Sequence, residues 1–246
     1  MPSRPIERQR LADGPIDPEP GMSLVLALDC AISGLGVAVV RDGACLASLR
    51  EEGRDQAVRL FPAVSSVLRD AGVARHELSL IGVTIGPGSF TGVRVGLAAA
   101  RGLAVGLGVP LAGLATTSVL IAQAAQQDRL VVAAVDSRLG DWFCAIGEAA
   151  QAPFAATADE LARRLNARSC VVVGPDVGPL VAQLAAAGVD AKAEVAFVDP
   201  VAVARLALAP GIDAWRTRNA SEGLPRPLYL RGVSITLPDG ARRTVD

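Results

Sequence analysis

Residues 86–92 read Gly-Pro-Gly-Ser-Phe-Thr-Gly, a composition suited to a loop that binds an anion through backbone N–H groups. They follow an apolar run, 80–85 (LIGVTI), and precede a run of small residues with helical spacing, so a helix N-terminus could face a phosphate. The spacing matches neither known cradle. A P-loop needs Gly-Lys-Ser/Thr at its end, and the dinucleotide fingerprint needs one residue fewer after Gly88 and an acid further on. Ser89 is not in a Gly-x-Ser-x-Gly elbow, so it is a poor nucleophile candidate, and a strand-to-helix turn is the favoured reading. Asp29 and Asp136 each close an apolar run, LVLALD and LVVAAVD. In a two-domain nucleotide-binding fold such aspartates approach Mg²⁺ and phosphate from either side of a cleft, whereas in other folds loop amides satisfy them. His76 stands alone in a polar stretch, and one histidine cannot build a His-rich metal site. Cys30, Cys45, Cys144 and Cys170 form no CxxC pair and sit in or beside apolar runs, as buried reduced thiols do.

The runs that carry these residues alternate between strand and helix signals. Residues 24–29 read as a strand buried on both faces, followed by a loop, the run GLGVAVV, Asp42-Gly43 as a hairpin turn, and ACLASL. Ala57, Leu60, Phe61, Val64, Val67, Leu68 and Ala71 recur at i, i+3, i+4, which predicts an amphipathic helix over 56–71, kinked or delayed by Pro62. The helix after the glycine-rich turn carries Gly92, Gly96, Ala99 and Gly106 near one face, with Ala98, Gly102 and Val105 as a neighbouring strip. Glycine costs an isolated helix about 0.8–1 kcal/mol relative to alanine, so the helix needs a packing reason. That reason is another helix or sheet of the same chain, or a second subunit. A strand over 109–114 and a helix capped by Thr116 or Thr117 and running to about 127 complete the first half. The second half repeats strand, Asp, loop, strand at residues 130–147, then shows a capping box at Thr157 and Glu160, a buried strand at 169–174, and helices over about 176–187 and 200–209. Residues 1–22 are rich in proline and charge and read as a disordered extension, with Met22 a second candidate start of translation. The apolar cluster Leu228-Tyr229-Leu230 in the tail is expected to dock onto the body.

Half of the 246 residues are apolar but only 3% are aromatic, so the core must be aliphatic, as in α/β proteins. A net charge of −1 and the absence of a long Lys/Arg run exclude a large electrostatic footprint for nucleic acid. The N-terminus lacks the apolar segment of a secretory signal, and glycine or charge interrupts the apolar runs before spanning length, so a cytoplasmic protein without membrane contact is expected.

Four blocks in order, LALDCAISGLGVAVV, IGPGSFTGVRVGLAAARGLAVGLGVPLAGLATTSVL, VVAAVDSRLGDWFCAI and PLYLR, resemble the bacterial TsaB (YeaZ) family. The likeness covers about residues 24–231 and is most specific at 86–96. It implies an α/β fold of two actin and sugar-kinase-like (ASKHA) domains, each a mixed sheet with flanking helices, here 23–109 and 110–246. It also implies a non-catalytic subunit of the machinery that makes threonylcarbamoyladenosine in tRNA, with no catalytic residue and no metal of its own. The implied partners are the paralogue TsaD, the ATPase TsaE in a larger complex, and a second copy when isolated, with tRNA reached only through the complex. TsaD holds a metal through two histidines at HxxxH spacing, and the matching stretch here, 114–120 (LATTSVL), has none. An older peptidase label on such proteins is disfavoured for the same reason. The family's partner surface uses two helices corresponding to 56–71 and 91–107, which implies Leu60, Val64, Val67, Gly92, Gly96, Ala99 and Leu103 as contact residues. Asp29, Ser33 and Asp136 would line a vestigial nucleotide cleft, requiring no cofactor but leaving room for ATP or ADP bound weakly or at the partner interface. The chain departs from the family at Gln56-Ala57-Val58, where a His-Ser-Glu run is common. The alternative is an ATP-binding phosphotransferase or ATPase of the same superfamily, with Asp29 and Asp136 at its cleft.

Overall fold

In the computed structural model, Leu24, Leu26 and Leu28 enter one core while Val25 and Ala27 enter another, because successive strand side chains point to opposite faces. The structure describes residues 22–124, 128–147, 152–231, 233–236 and 242–245, the last two stretches by backbone only. The expected N-terminal extension lies outside the described residues. The first unit runs β1 (Leu24–Asp29), β2 (Leu35–Arg41), β3 (Ala44–Glu51), α1 (Gln56–Asp70), β4 (Leu80–Thr84), α2 (Phe90–Leu107), β5 (Leu111–Leu114) and α3 (Thr116–Gln123). Its sheet has the order β3-β2-β1-β4-β5, antiparallel on one side of β1 and parallel on the other.

The second unit runs β6 (Leu130–Asp136), β7 (Trp142–Ile146), β8 (Phe154–Ala156), α4 (Ala158–Leu165), β9 (Cys170–Gly174), α5 (Gly178–Ala186), β10 (Ala191–Val195) and α6 (Pro200–Leu208). Its sheet, β8-β7-β6-β9-β10, repeats the first in order and in sense. The recurrence of strand, Asp, loop, strand in the sequence is therefore the opening of a repeated mixed-sheet unit. After α6 come α7 (Ile212–Glu222), the segment 223–231, and a hairpin of β11 (Val233–Thr236) and β12 (Arg242–Val245).

Each unit lends its last helix to the other sheet. α3 packs on β6, and α6 packs on β1 and β2. Both lie in a core shared by Val25, Ala27, Ala38, Val119, Leu120, Ala133, Val173, Val203 and Ala207. Gln123 clamps the crossing, donating from Nε2 to the Phe197 carbonyl at 2.5 Å and accepting the Asp199 amide at 2.9 Å. α1 and α2 cover the outer face of the first sheet, and α4 and α5 that of the second. The boundary expected between residues 109 and 110 falls inside the first sheet, since β5 pairs with β4.

Several local signals hold with small shifts. α1 begins at Gln56 and continues through Pro62. Thr157 and Glu160 form the reciprocal capping box. Ala115, not a threonine, precedes the first turn of α3, and the hydroxyls of Thr116 and Thr117 are buried with no hydrogen-bond partner among the described residues. α3 ends at Gln123, and residues 125–127 lie outside the described set. Three cysteines are buried, but Cys45 is exposed because β3 is the outermost strand of its sheet. β8, β10 and α7 carry little periodic signal, and packing against neighbours that already exist defines them. Asn219 of α7, for instance, brackets the backbone of Leu111 on β5 with bonds of 2.7 and 3.1 Å.

Candidate functional site

The C-terminal ends of β1 and β4 meet the start of α2, and Asp29 joins them. Its Oδ1 accepts the Thr84 hydroxyl at 2.6 Å and the Ala31 amide at 3.1 Å. Burial pushes the Asp29 carboxyl above its ordinary value, opposed by those two hydrogen bonds and by the charge of Arg50. The carboxylate is thus engaged by its own scaffold. Asp136, at the matching end of β6, is half-buried; its Oδ1 accepts the Arg138 amide at 2.7 Å, and the Arg138 guanidinium lies 3.5 Å from Oδ2. Ser33 is exposed in the loop after β1. Among the described residues no hydrogen bond links Asp29, Ser33 and Asp136, so three residues expected to share a nucleotide are each tied to local structure or open to solvent.

The glycine-rich turn is specified by a close approach of backbone. At Gly88 (φ +156°) a Cβ would lie 2.0 Å from the Ala31 carbonyl oxygen, and at Gly92 one would lie 2.0 Å from that of Cys30. The Ser89 amide donates to the Ala31 carbonyl at 2.6 Å, and the Ser89 hydroxyl caps the helix by accepting the Gly92 amide at 3.1 Å. The carbonyls of Cys30 and Ala31 therefore occupy the space over the first turn of α2 that an anion would take. This is a mechanical joint between the β1–β2 loop and α2 rather than a phosphate cradle.

The seven expected contact residues turn out to face inward. Leu60, Val64 and Val67 are at most 2% exposed and belong to the core under α1. Gly92 and Gly96 lie against Cys30, Ala99 is buried, and Leu103 is partly buried against the same core. Leu60, Val64 and Val67 of α1 and the Gly92/Gly96/Ala99 face of α2 thus pack the chain's own sheet and the β1–β2 loop. The outward residues are Val58 (75% exposed) and Phe61 (52%) on α1, with Ala98, Gly102, Val105 (71%) and Gly106 on the adjacent α2. Nothing lies within 4 Å of a Cβ built at Gly102 or Gly106. Of the two on α1, Val58 falls outside the periodic stripe of the sequence, whereas Phe61 falls within it and is nonetheless exposed. By length and composition α2 could also cross a membrane; here its inner face is packed on β4 and β1.

Two mixed sheets of one plan, each with outer helices and exchanging one helix, define an α/β protein of the actin and sugar-kinase-like type. Residues 50–215 match the family described as TsaD, tRNA N6-adenosine threonylcarbamoyltransferase. A TsaB-named threonylcarbamoyladenosine biosynthesis protein of Bacillus subtilis (strain 168) is 34% identical over 117 residues, covering 47% of this chain and 51% of the relative. That of Escherichia coli (strain K12) is 33% identical over 123 residues, 49% and 53% of the two chains. The chain spans about half the length of the curated relatives it matches. Two structures from Pseudomonas aeruginosa align with 85% of this chain and all of theirs. One is titled an uncharacterized protein with similarity to peptidase YEAZ (27% identity, TM-score 0.68) and the other YeaZ (25%, 0.66). The chain belongs to the TsaB/YeaZ family, within the wider family that the matching model describes.

Proposed function

We propose that this chain is a non-catalytic subunit of the cytoplasmic machinery that forms threonylcarbamoyladenosine in tRNA, docking onto a TsaD-type paralogue through the outer face of α1 and α2. The observation that carries the reading is the exposure of Val58 and Phe61 on α1 and of Ala98, Gly102 and Val105 on α2, two neighbouring helices whose inner faces pack the sheet. Exposed apolar residues on neighbouring helices are what an association site requires. The alanine and glycines at 98, 102 and 106, one helical turn apart, let a partner helix approach the backbone closely. A second copy would occupy the same residues when the partner is absent, and TsaE would join the assembled pair. tRNA would be met through the complex, and ATP or ADP, if bound, at the partner interface. An ATP-using phosphotransferase would need Asp29 turned toward a metal-bound phosphate, whereas its carboxylate is held by Thr84 and Ala31.

At exposed Gly102 a Cβ meets nothing within 4 Å, so Gly102→Trp starts outward from the isolated chain and fills the approach that a partner helix needs. With a purified TsaD-type protein it should abolish co-elution on a sizing column while circular dichroism stays unchanged. Undiminished co-elution would overturn the placement of the interface. Formation of the modified nucleoside in a reconstituted reaction should require the chain, and full activity without it would overturn the subunit reading.

A further inference from the structure

After α7, residues 224–231 cross from the first sheet to the second, and each step of the crossing is bonded. Pro225 packs at Gly113 of β5, where a Cβ would lie 2.5 Å from it. Arg101 of α2 donates to the carbonyls of Pro225 and Leu224 at 3.0 and 3.2 Å. The Leu228 amide donates to the Ile85 carbonyl at 2.8 Å, just past the end of β4. Arg94, in the first turns of α2, lays its guanidinium 3.4 Å over the Phe90 ring and donates from Nε to the Tyr229 hydroxyl at 3.0 Å. Two residues further on, Arg231 pairs with Asp141 in the β6–β7 loop, and the Ser137 hydroxyl donates to the same carboxylate. The Asp141 side chain is only 5% exposed, and a buried carboxylate deprived of its cation is strongly destabilised.

We propose that residues 224–231 form a latch: Arg94 and Arg101 hold it to α2, Arg231 pins it to Asp141, and it transmits the position of α2 to the β6–β7 loop that follows Asp136. The two units also meet through α3 and α6 in the shared core and through Arg50 of β3 over the Phe197 ring. The latch is the connection that runs along the strand C-termini, where Asp29 and Asp136 lie, and it starts on the same helix as the exposed Gly102 and Val105. A partner seated on α2 therefore bears on the latch, and this last clause alone rests on the docking reading.

Hydrogen exchange read by mass spectrometry on the full chain tests it. Arg231→Met keeps the stem and removes the fork, and should speed exchange about tenfold at 137–141 and also at 85–89 and 224–230. Tyr229→Phe, a mild change at a half-exposed ring, keeps the ring beside Phe90 and removes the hydroxyl that accepts from Arg94, and it should still speed exchange at 137–141 in the other unit. If its effect stays within 90–94 and 229, the segment is a local anchor and the latch is refuted. Should Arg231→Met unfold the protein, the Tyr229→Phe result decides alone. A TsaD-type partner should slow exchange at 137–141 in the wild type and not in Arg231→Met. Slowing in both would overturn transmission through the latch. Absence of partner binding in both would count against the docking clause while the isolated-chain result still decides the latch.

Discussion

Two glycines ten residues apart on α2 should answer an alanine substitution with opposite sign. At Gly102 a Cβ meets nothing within 4 Å, so alanine brings only its helix propensity, a gain of about 0.8–1 kcal/mol. At Gly92 the same propensity gain is offset by a Cβ placed 2.0 Å from the Cys30 carbonyl oxygen, against the 3.0 Å below which real Cβ atoms essentially never come. The β1–β2 loop must retreat by about 1 Å, an overpacking cost of about 1–3 kcal/mol. That retreat also stretches the Ser89–Ala31 hydrogen bond of 2.6 Å and the Ala31 amide bond that helps hold Asp29, at about 0.5–1.5 kcal/mol each. The net is a loss of about 1–5 kcal/mol for Gly92→Ala. For a chain of this size that lowers the melting temperature by about 2–20 °C, while Gly102→Ala raises it by about 2–4 °C. Thermal unfolding followed by circular dichroism, with urea midpoints as a second measure, reads both. Equal shifts for the two variants, or a gain for Gly92→Ala, would refute the claim that the glycine-rich turn is a steric joint.

Asp29→Asn should stabilise the protein at pH 7 by about 1 kcal/mol or more, since it removes a buried charge while keeping an acceptor for Thr84 and Ala31. The folded chain raises this carboxyl above 3.8, so it holds its proton more tightly than the unfolded chain does. Its contribution is greatest below 3.8 and is lost as pH rises through the raised value, and the advantage of asparagine should fade toward pH 4. An advantage independent of pH would contradict this. Iodoacetamide at pH 8 should label Cys45 first in the native protein. Burial pushes the thiols of Cys30 and Cys144 up to about 12 and raises that of Cys170, which leaves little thiolate at the buried positions. Fast native labelling of Cys30 or Cys144, located by peptide mapping, would be inconsistent with those burials.

What could be read before folding depended on how local the cause was. The capping box at Thr157, the Asp42-Gly43 hairpin and the continuous apolar run of β1 act over a few residues, and each stands where its pattern says. Burial on α1 was legible only in part. Periodicity identifies the apolar stripe of a helix, and Leu60, Val64 and Val67 of that stripe lie in the core, whereas Phe61 within it and Val58 outside it are exposed. On α2 small residues run around the whole helix, and spacing alone cannot tell a glycine required by Cys30 from one required by nothing inside the chain. Only the sheet beneath resolves it: Gly92 and Gly96 meet Cys30, while Gly102 and Gly106 meet no neighbour. Asp29 shows the same limit at the cleft. A strand-end aspartate reads alike whether it holds a metal-bound phosphate or its own loop, and the bond its carboxyl accepts from Thr84, 55 residues away, has no local sequence signal. The joint of Asp29, Ala31, Ser89 and Gly92 and the open positions at Gly102 and Gly106 lie on one helix. The residues that build the motif thus set the pose of α2, and the glycines beyond it leave the helix approachable from outside.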